Sequence, residues 1–210
     1  GDSFEVVSEP VVIGRDTARV GASIGVAVNE DSRTDAEQLI HEADVAAYRA
    51  KAGGRGRSEL FDVSLRAELA ATLELEAALR RAVTDDELVL HYQPIVRVAD
   101  GAVEGFEALV RWQRPGVGLV MPSEFLHVAQ TSDLICDIGA WVLVHAAQQV
   151  REWSARQDST GVFVSVNVDG RHATRARIVD DVARALRVVE IRPDQLVLEV
   201  SEATLSTDLA

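Results

Sequence analysis

From residue 84 onward the sequence alternates apolar stretches of period two with stretches of helical spacing, and this alternation constrains the fold more than any other feature. Residues 88–96 read as a strand, Ala99-Asp100-Gly101 as a tight turn, and 104–112 as a second strand. The short connection makes that pair antiparallel. Pro122-Ser123 opens a short helix, and 134–156 carries Ile138, Trp141, Val142, Val144 and Val150 at helical spacing. A strand over 162–168, a helix over 172–188 with Ile178, Val182 and Leu186 inward, and a strand over 195–201 follow. Strands that alternate with helices run parallel beneath covering helices, so the expected class is α/β, an open sheet or a barrel. A full (β/α) barrel takes about 250 residues, and 84–210 supplies roughly half of one.

The residues before 84 form two further pieces. Val20 to Val28 alternates small and β-branched residues, predicting a strand near 19–28 ahead of the turn cluster Asn29-Glu30-Asp31-Ser32. Thr34 or Asp35 caps a helix over 35–51, where Ala36, Leu39, Ile40, Ala43 and Ala47 recur up to Gly53-Gly54. Leu60-Phe61 then reads as the closing edge of a domain spanning 1–62. Over 63–83, Leu65, Leu69, Leu73, Ala77 and Leu79 recur among Glu and Arg with no Gly or Pro, which predicts one connecting amphipathic helix. The second domain spans 84–210.

Charge narrows the function classes. With 21 basic and 34 acidic residues the chain carries −13, so a nucleic-acid polymer or an anionic membrane is an unfavourable partner and any bound phosphate needs a local site. The single cysteine, Cys136, forms no internal disulfide and no thiolate cluster. No apolar run approaches the roughly 20 residues of a bilayer span, and no signal-peptide pattern opens the chain. The expectation is a cytoplasmic location, with room for a membrane anchor ahead of residue 1. A chain that starts at Gly1 reads as a fragment of a longer protein.

Period-two geometry assigns the strand residues to faces. Glu107, Leu109 and Arg111 share one face of 106–112; Phe163, Ser165 and Asn167 share one of 162–168; Val197, Glu199 and Ser201 share one of 196–201. Three strands thus each carry an oxygen ligand opposite their most apolar row, on the face that would be a barrel's interior. Buried carboxylates need a cation, a metal or several donors. Two Glu and one Asn, with no Cys or His beside them, suit a hard ion such as Mg²⁺ or Mn²⁺. The competing reading pairs Glu107 with Arg111, makes Asn167 a turn cap and leaves Glu199 at an exposed strand end.

At these residues the sequence resembles a known family. His91-Tyr92-Gln93-Pro94-Ile95-Val96, Glu107-Ala108-Leu109-Val110-Arg111-Trp112, Pro122-Ser123-Glu124-Phe125-Leu126, Val166-Asn167-Val168 and Leu198-Glu199-Val200-Ser201-Glu202 follow in the order seen in EAL domains of cyclic di-GMP phosphodiesterases. Ser23-Ile24-Gly25-Val26-Ala27, the run Ala43 to Lys51 and Gly53-Gly54-Arg55-Gly56-Arg57 resemble the C-terminal end of a GGDEF domain, the diguanylate cyclase family. The resemblance implies an incomplete EAL-type (β/α) barrel with an antiparallel first strand, preceded by the α/β end of a GGDEF domain. The signature GGDEF turn would lie before residue 1, so cyclase activity is not expected of this chain.

The resemblance also implies a reaction, the metal-dependent hydrolysis of cyclic di-GMP to pGpG in bacterial signalling. By position Glu107, Asn167 and Glu199 match metal ligands, with Mg²⁺ or Mn²⁺ as the cofactor, and Glu107 and Arg111 match catalytic residues. Gln93 and Arg111 match substrate contacts, and Glu202 matches a residue that supports an active-site loop. A homodimer through the EAL domain is the expected assembly. Gln130, where the family commonly has Glu, and Val168-Asp169, in place of Leu-Ser, depart from the pattern. The family's Asp-Asp pair, lysine and further glutamate would fall beyond Ala210, so the chain alone is expected to be inactive. The alternative is a non-catalytic cyclic di-GMP receptor or partner-binding module.

Overall fold

The computed structural model describes residues 11–13, 16–18, 21–29, 35–155 and 161–200. The chain divides into two compact units, 1–72 and 73–210.

In the first unit, β1 (Val11–Ile13) pairs antiparallel with β2 (Asp16–Ala18). β3 (Ile24–Ala27) pairs parallel with β4 (Ser58–Phe61) through α1 (Ala36–Ala52). Asp35 starts that helix as its N-cap, accepting from the Gln38 N–H at 2.8 Å. The helix backbone lies against β3 at Gly25, where a Cβ would run into the Ala43 carbonyl and the Ala47 backbone. Only glycine permits that approach. Leu60-Phe61 belongs to a paired strand, and the predicted strand over 19–28 contracts to Ile24–Ala27, residues 19 and 20 lying outside the described set. The predicted connecting helix is α2 (Val63–Ala82). Asp62 accepts from the Leu65 N–H at 2.8 Å and the Ser64 hydroxyl at 2.7 Å, and these bonds hold its carboxyl below the usual carboxylate range.

The second unit is a sheet with helices on one side. β5 (Leu88–Val96) pairs antiparallel with β6 (Val103–Arg114), from Leu88 opposite Trp112 to Val96 opposite Val103. β6 pairs parallel with β8 (Phe163–Val168), and β8 parallel with β9 (Leu196–Val200). The expected antiparallel hairpin therefore opens a parallel run, and the order is β5-β6-β8-β9. Among the described residues this sheet stays open and does not close into a barrel. A strand absent from the sequence reading, β7 (Gly118–Val120), folds back antiparallel on the end of β6. Gly116 and Gly118, at φ 74° and 100°, turn the chain there.

α3 (Pro122–Ala129) and α4 (Leu134–Ser154) follow the predicted spacing. The single helix expected over 172–188 is two helices, α5 (Gly170–Ala173) and α6 (Arg177–Val189). Asp169 caps the first, and the Thr174 hydroxyl donates to the Gly170 carbonyl at 3.0 Å, closing one turn before the chain changes direction.

The core lies between the sheet and α4. Leu88, Ala108, Trp112, Val164 and Val166 point into it from one face of the sheet and meet Phe125, Leu134, Ile138, Leu143, Ala146 and Val150. Each fully buried aliphatic side chain stabilises the fold by about 1.5–3 kcal/mol. Trp112 stacks edge-on with Phe125 at 5.9 Å and donates its indole N–H to Glu87 at 2.9 Å. Among the described residues no helix is long and apolar enough to cross a membrane.

Candidate functional site

The face of the sheet that turns away from α4 carries the polar residues. Register sets them side by side: Gln93 of β5 lies opposite Glu107 of β6, Glu107 opposite Ser165 of β8, and Asn167 opposite Glu199 of β9. Directly paired residues in a sheet share a face, so Gln93, Glu107, Ser165, Asn167 and Glu199 occupy one surface. Arg111 stands four residues along β6 from Glu107, on the same face.

One contact ties two of these strands. The Asn167 side-chain amide donates from Nδ2 to Glu107 Oε1 at 2.7 Å. That bond fixes which way the amide points. It leaves Asn167 Oδ1 and the second Glu107 oxygen without a partner among the described residues. Arg111 does not pair with Glu107; its Nη1 donates to the Val110 carbonyl at 2.8 Å. Glu199 is solvent-exposed at the end of β9. Glu202 lies outside the described residues.

Beneath this row sits Ser165, 1% exposed, whose Oγ has no hydrogen-bond partner among the described residues. Buried hydroxyls are rarely left so. Among the described residues no group of three His, Cys, Asp or Glu side chains is placed to hold a metal ion. The oxygen set is instead two carboxylates and an amide, which suits a hard divalent cation in donor chemistry.

Beside the row, against residues 108–110 in the middle of β6 and at the C-terminal ends of β8 and β9, lies a cavity of about 340 Å³. Pro122, Leu126, Ile138 and Val142 make its apolar wall, and Asn167, Asp169, Gln130 and Glu199 its polar rim. Gln130 donates from Nε2 to Asp169 Oδ2 at 2.9 Å, joining the end of α3 to the turn after β8. Both residues stand out in the sequence as departures from the EAL pattern, yet their pairing across 39 positions emerges only from the fold. Ser165 shares its predicted face with Asn167, but its burial is a property of packing and leaves no local signal. Cys136 is buried in α4, and burial pushes its thiol pKa up.

Residues 76–210 match the EAL domain family, and residues 2–57 match the family described as diguanylate cyclase, GGDEF domain. The bifunctional diguanylate cyclase/cyclic di-GMP phosphodiesterase MucR of Pseudomonas aeruginosa is 38% identical over 204 residues, covering 96% of this chain and 29% of that protein. The cyclic di-GMP phosphodiesterase NbdA of the same organism is 35% identical over 202 residues, covering 96% of this chain and 26% of that protein. The solved structure of PaMucR phosphodiesterase in complex with c-di-GMP matches with a TM-score of 0.61 at 39% identity, over 64% of this chain and 54% of that one. This chain spans less than a third of the length of the two curated relatives. The order of strand motifs, the open polar face and these matches agree: the chain belongs to the EAL domain family, its EAL portion preceded by part of a GGDEF domain.

Proposed function

We propose that the protein hydrolyses one phosphodiester bond of cyclic di-GMP to give pGpG, with Glu107, Asn167 and Glu199 as metal ligands. Residues 84–210 are the N-terminal half of the EAL domain in this reading, 1–62 the end of the GGDEF domain and 63–83 the helix that connects them. The supporting observation is the 2.7 Å bond from Asn167 to Glu107, with Glu199 register-paired to Asn167. It fixes the amide and leaves oxygens from two strands unshared on one surface.

A phosphodiester resists attack because its negative charge repels nucleophiles. Bound Mg²⁺ or Mn²⁺ supplies charge neutralisation, an activated water and stabilisation of the leaving oxygen. The chain's own residues do the rest. Arg111 offers a planar guanidinium to a phosphate on the same face as Glu107, a geometry that favours paired hydrogen bonds. Gln93, opposite Glu107, presents an amide that both donates and accepts toward a bound nucleotide. Glu107 holds the Asn167 amide through Oε1 while its other oxygen stays unshared. By the resemblance, Glu202 is assigned to the support of an active-site loop. A homodimer through the EAL domain is part of the same proposal.

The test is cyclic di-GMP turnover with Mg²⁺ or Mn²⁺ by the protein as its cell makes it, beside its Glu107→Ala variant. The variant is expected to lose metal-dependent hydrolysis and keep its fold by circular dichroism. Unchanged turnover in that variant would remove Glu107 from the site. Binding of cyclic di-GMP with no hydrolysis by the unmodified protein would make it a receptor instead.

A further inference from the structure

Asn167, the next-to-last residue of β8, is paired in the ladder with Glu199 and leads directly into the turn at Asp169. Three helices fasten that turn. Asp169 accepts from the Arg171 N–H at 2.9 Å through one oxygen and from Gln130 at the end of α3 through the other. Three residues on, His172 turns inward and is 1% exposed, with Nε2 3.0 Å from Asp181 Oδ2 in α6. Arg177 donates to the same Asp181 oxygen from Nε at 3.1 Å and pairs through Nη1 with Asp137 of α4 at 2.9 Å. The His172 ring lies over Gly139 of α4, where a Cβ would run into Nδ1.

An apolar side chain would fill this space at lower desolvation cost than an imidazole. What the imidazole adds is direction. A hydrogen bond to a carboxylate that is itself held by a guanidinium fixes the ring plane as well as its volume. The glycine beneath completes the seat, because it admits the ring against the α4 backbone.

We propose that His172, oriented by Asp181 and seated on Gly139, is a positioning residue for Asn167. It acts through residues 168–171, which join Asn167 to His172, and holds the Asn167 amide at its distance from Glu107. His172 touches neither metal nor substrate in this assignment. The functional weight of the proposal rests on Asn167 being a ligand, but its structural content does not.

The experiment therefore reads the amide and the metal separately. In the ¹⁵N-labelled chain the Asn167 side-chain amide signal, identified by its loss in Asn167→Asp, reports the bond to Glu107. Mn²⁺ affinity is measured by titration of the protein as its cell makes it. His172→Ala and, independently, Gly139→Ala are expected to move or broaden the Asn167 amide signal and to weaken Mn²⁺ binding 10- to 100-fold, as loss of a supporting contact does at metal sites. His172→Gln, whose amide can still donate to Asp181, is expected to recover most of both. Where His172→Ala does not fold, Gly139→Ala and Asp181→Asn carry the same readout. An Asn167 signal that stays put while thermal stability falls would overturn the proposal and reduce His172 to packing. A protein that binds no Mn²⁺, yet whose Asn167 signal moves in these variants, would sink the metal reading and leave the positioning assignment standing.

Discussion

The two faces of one strand, β6, follow different rules although their residues alternate. Ala108 and Trp112 face α4 and are buried among Leu88, Val164 and Val166, with Tyr92 opposite Ala108 adding a phenol to that face. Glu107 and Arg111 face the other way, among Gln93, Asn167 and Glu199. The covered face is selected for packing, and the open face for oxygen and charge. Even the open face is graded: its floor holds Gly105, Phe163 and buried Ser165, while the polar groups stand toward the C-terminal ends of β8 and β9. The cavity opens at that same end. Where parallel strands end on one side, as β8 and β9 do, side chains from distant sequence positions gather into one rim.

Adjacent substitutions break the comparison most sharply. Trp112→Ala removes a fully buried ring, its contact with Phe125 and its bond to Glu87, and is expected to cost about 3–5 kcal/mol in urea denaturation. Arg111→Ala, one residue away on the open face, is expected to cost no more than about 1 kcal/mol. Equal losses at the two positions would mean that both faces are packed alike.

The floor of the open face is the next place to press. A Cβ on Gly105 would stand 2.7 Å from the Phe163 ring, so Gly105→Ala forces that ring to move. The expected loss is about 1–3 kcal/mol, the range of overpacked sites. A neutral result would show the floor to be loose.

Most of this arrangement is legible in the sequence because its cause is local. The strand pair over 88–112 declares itself through alternation and the Ala99-Asp100-Gly101 turn, and the same alternation sorts Glu107, Asn167 and Glu199 to one face. What stays hidden depends on contacts between distant residues. β7 is three residues long, too short to show a period, and exists because β6 offers it an edge. The break between α5 and α6 follows from the inward turn of His172 and the Thr174 back-bond, in a stretch whose apolar spacing reads as one helix. The Gln130–Asp169 and Asn167–Glu107 bonds span 39 and 60 positions, so local spacing gives no sign of them.

The smallest expected effect belongs to the covered face. Tyr92 is half-buried against Trp153, ring centroids 4.8 Å apart, and burial, aided by nearby Glu152, pushes its hydroxyl pKa up to about 12 from 10. Because the folded value lies above the unfolded one, the stability tied to the neutral phenol is complete below pH 10 and is lost as pH rises toward 12. Tyr92→Phe is expected to flatten the fall in denaturation midpoint across that window. A fall of the same size in the variant would assign it to other groups.

The central claim is that the open face of the sheet holds a divalent cation between Glu107, Asn167 and Glu199. Paramagnetic broadening by substoichiometric Mn²⁺ in ¹⁵N-edited spectra of the labelled chain tests it directly. The account predicts that signals of residues around 107, 167 and 199 fade first, with those of the α4-facing core unaffected. Broadening centred on another acidic surface, or none across the whole Mn²⁺ titration, would contradict it.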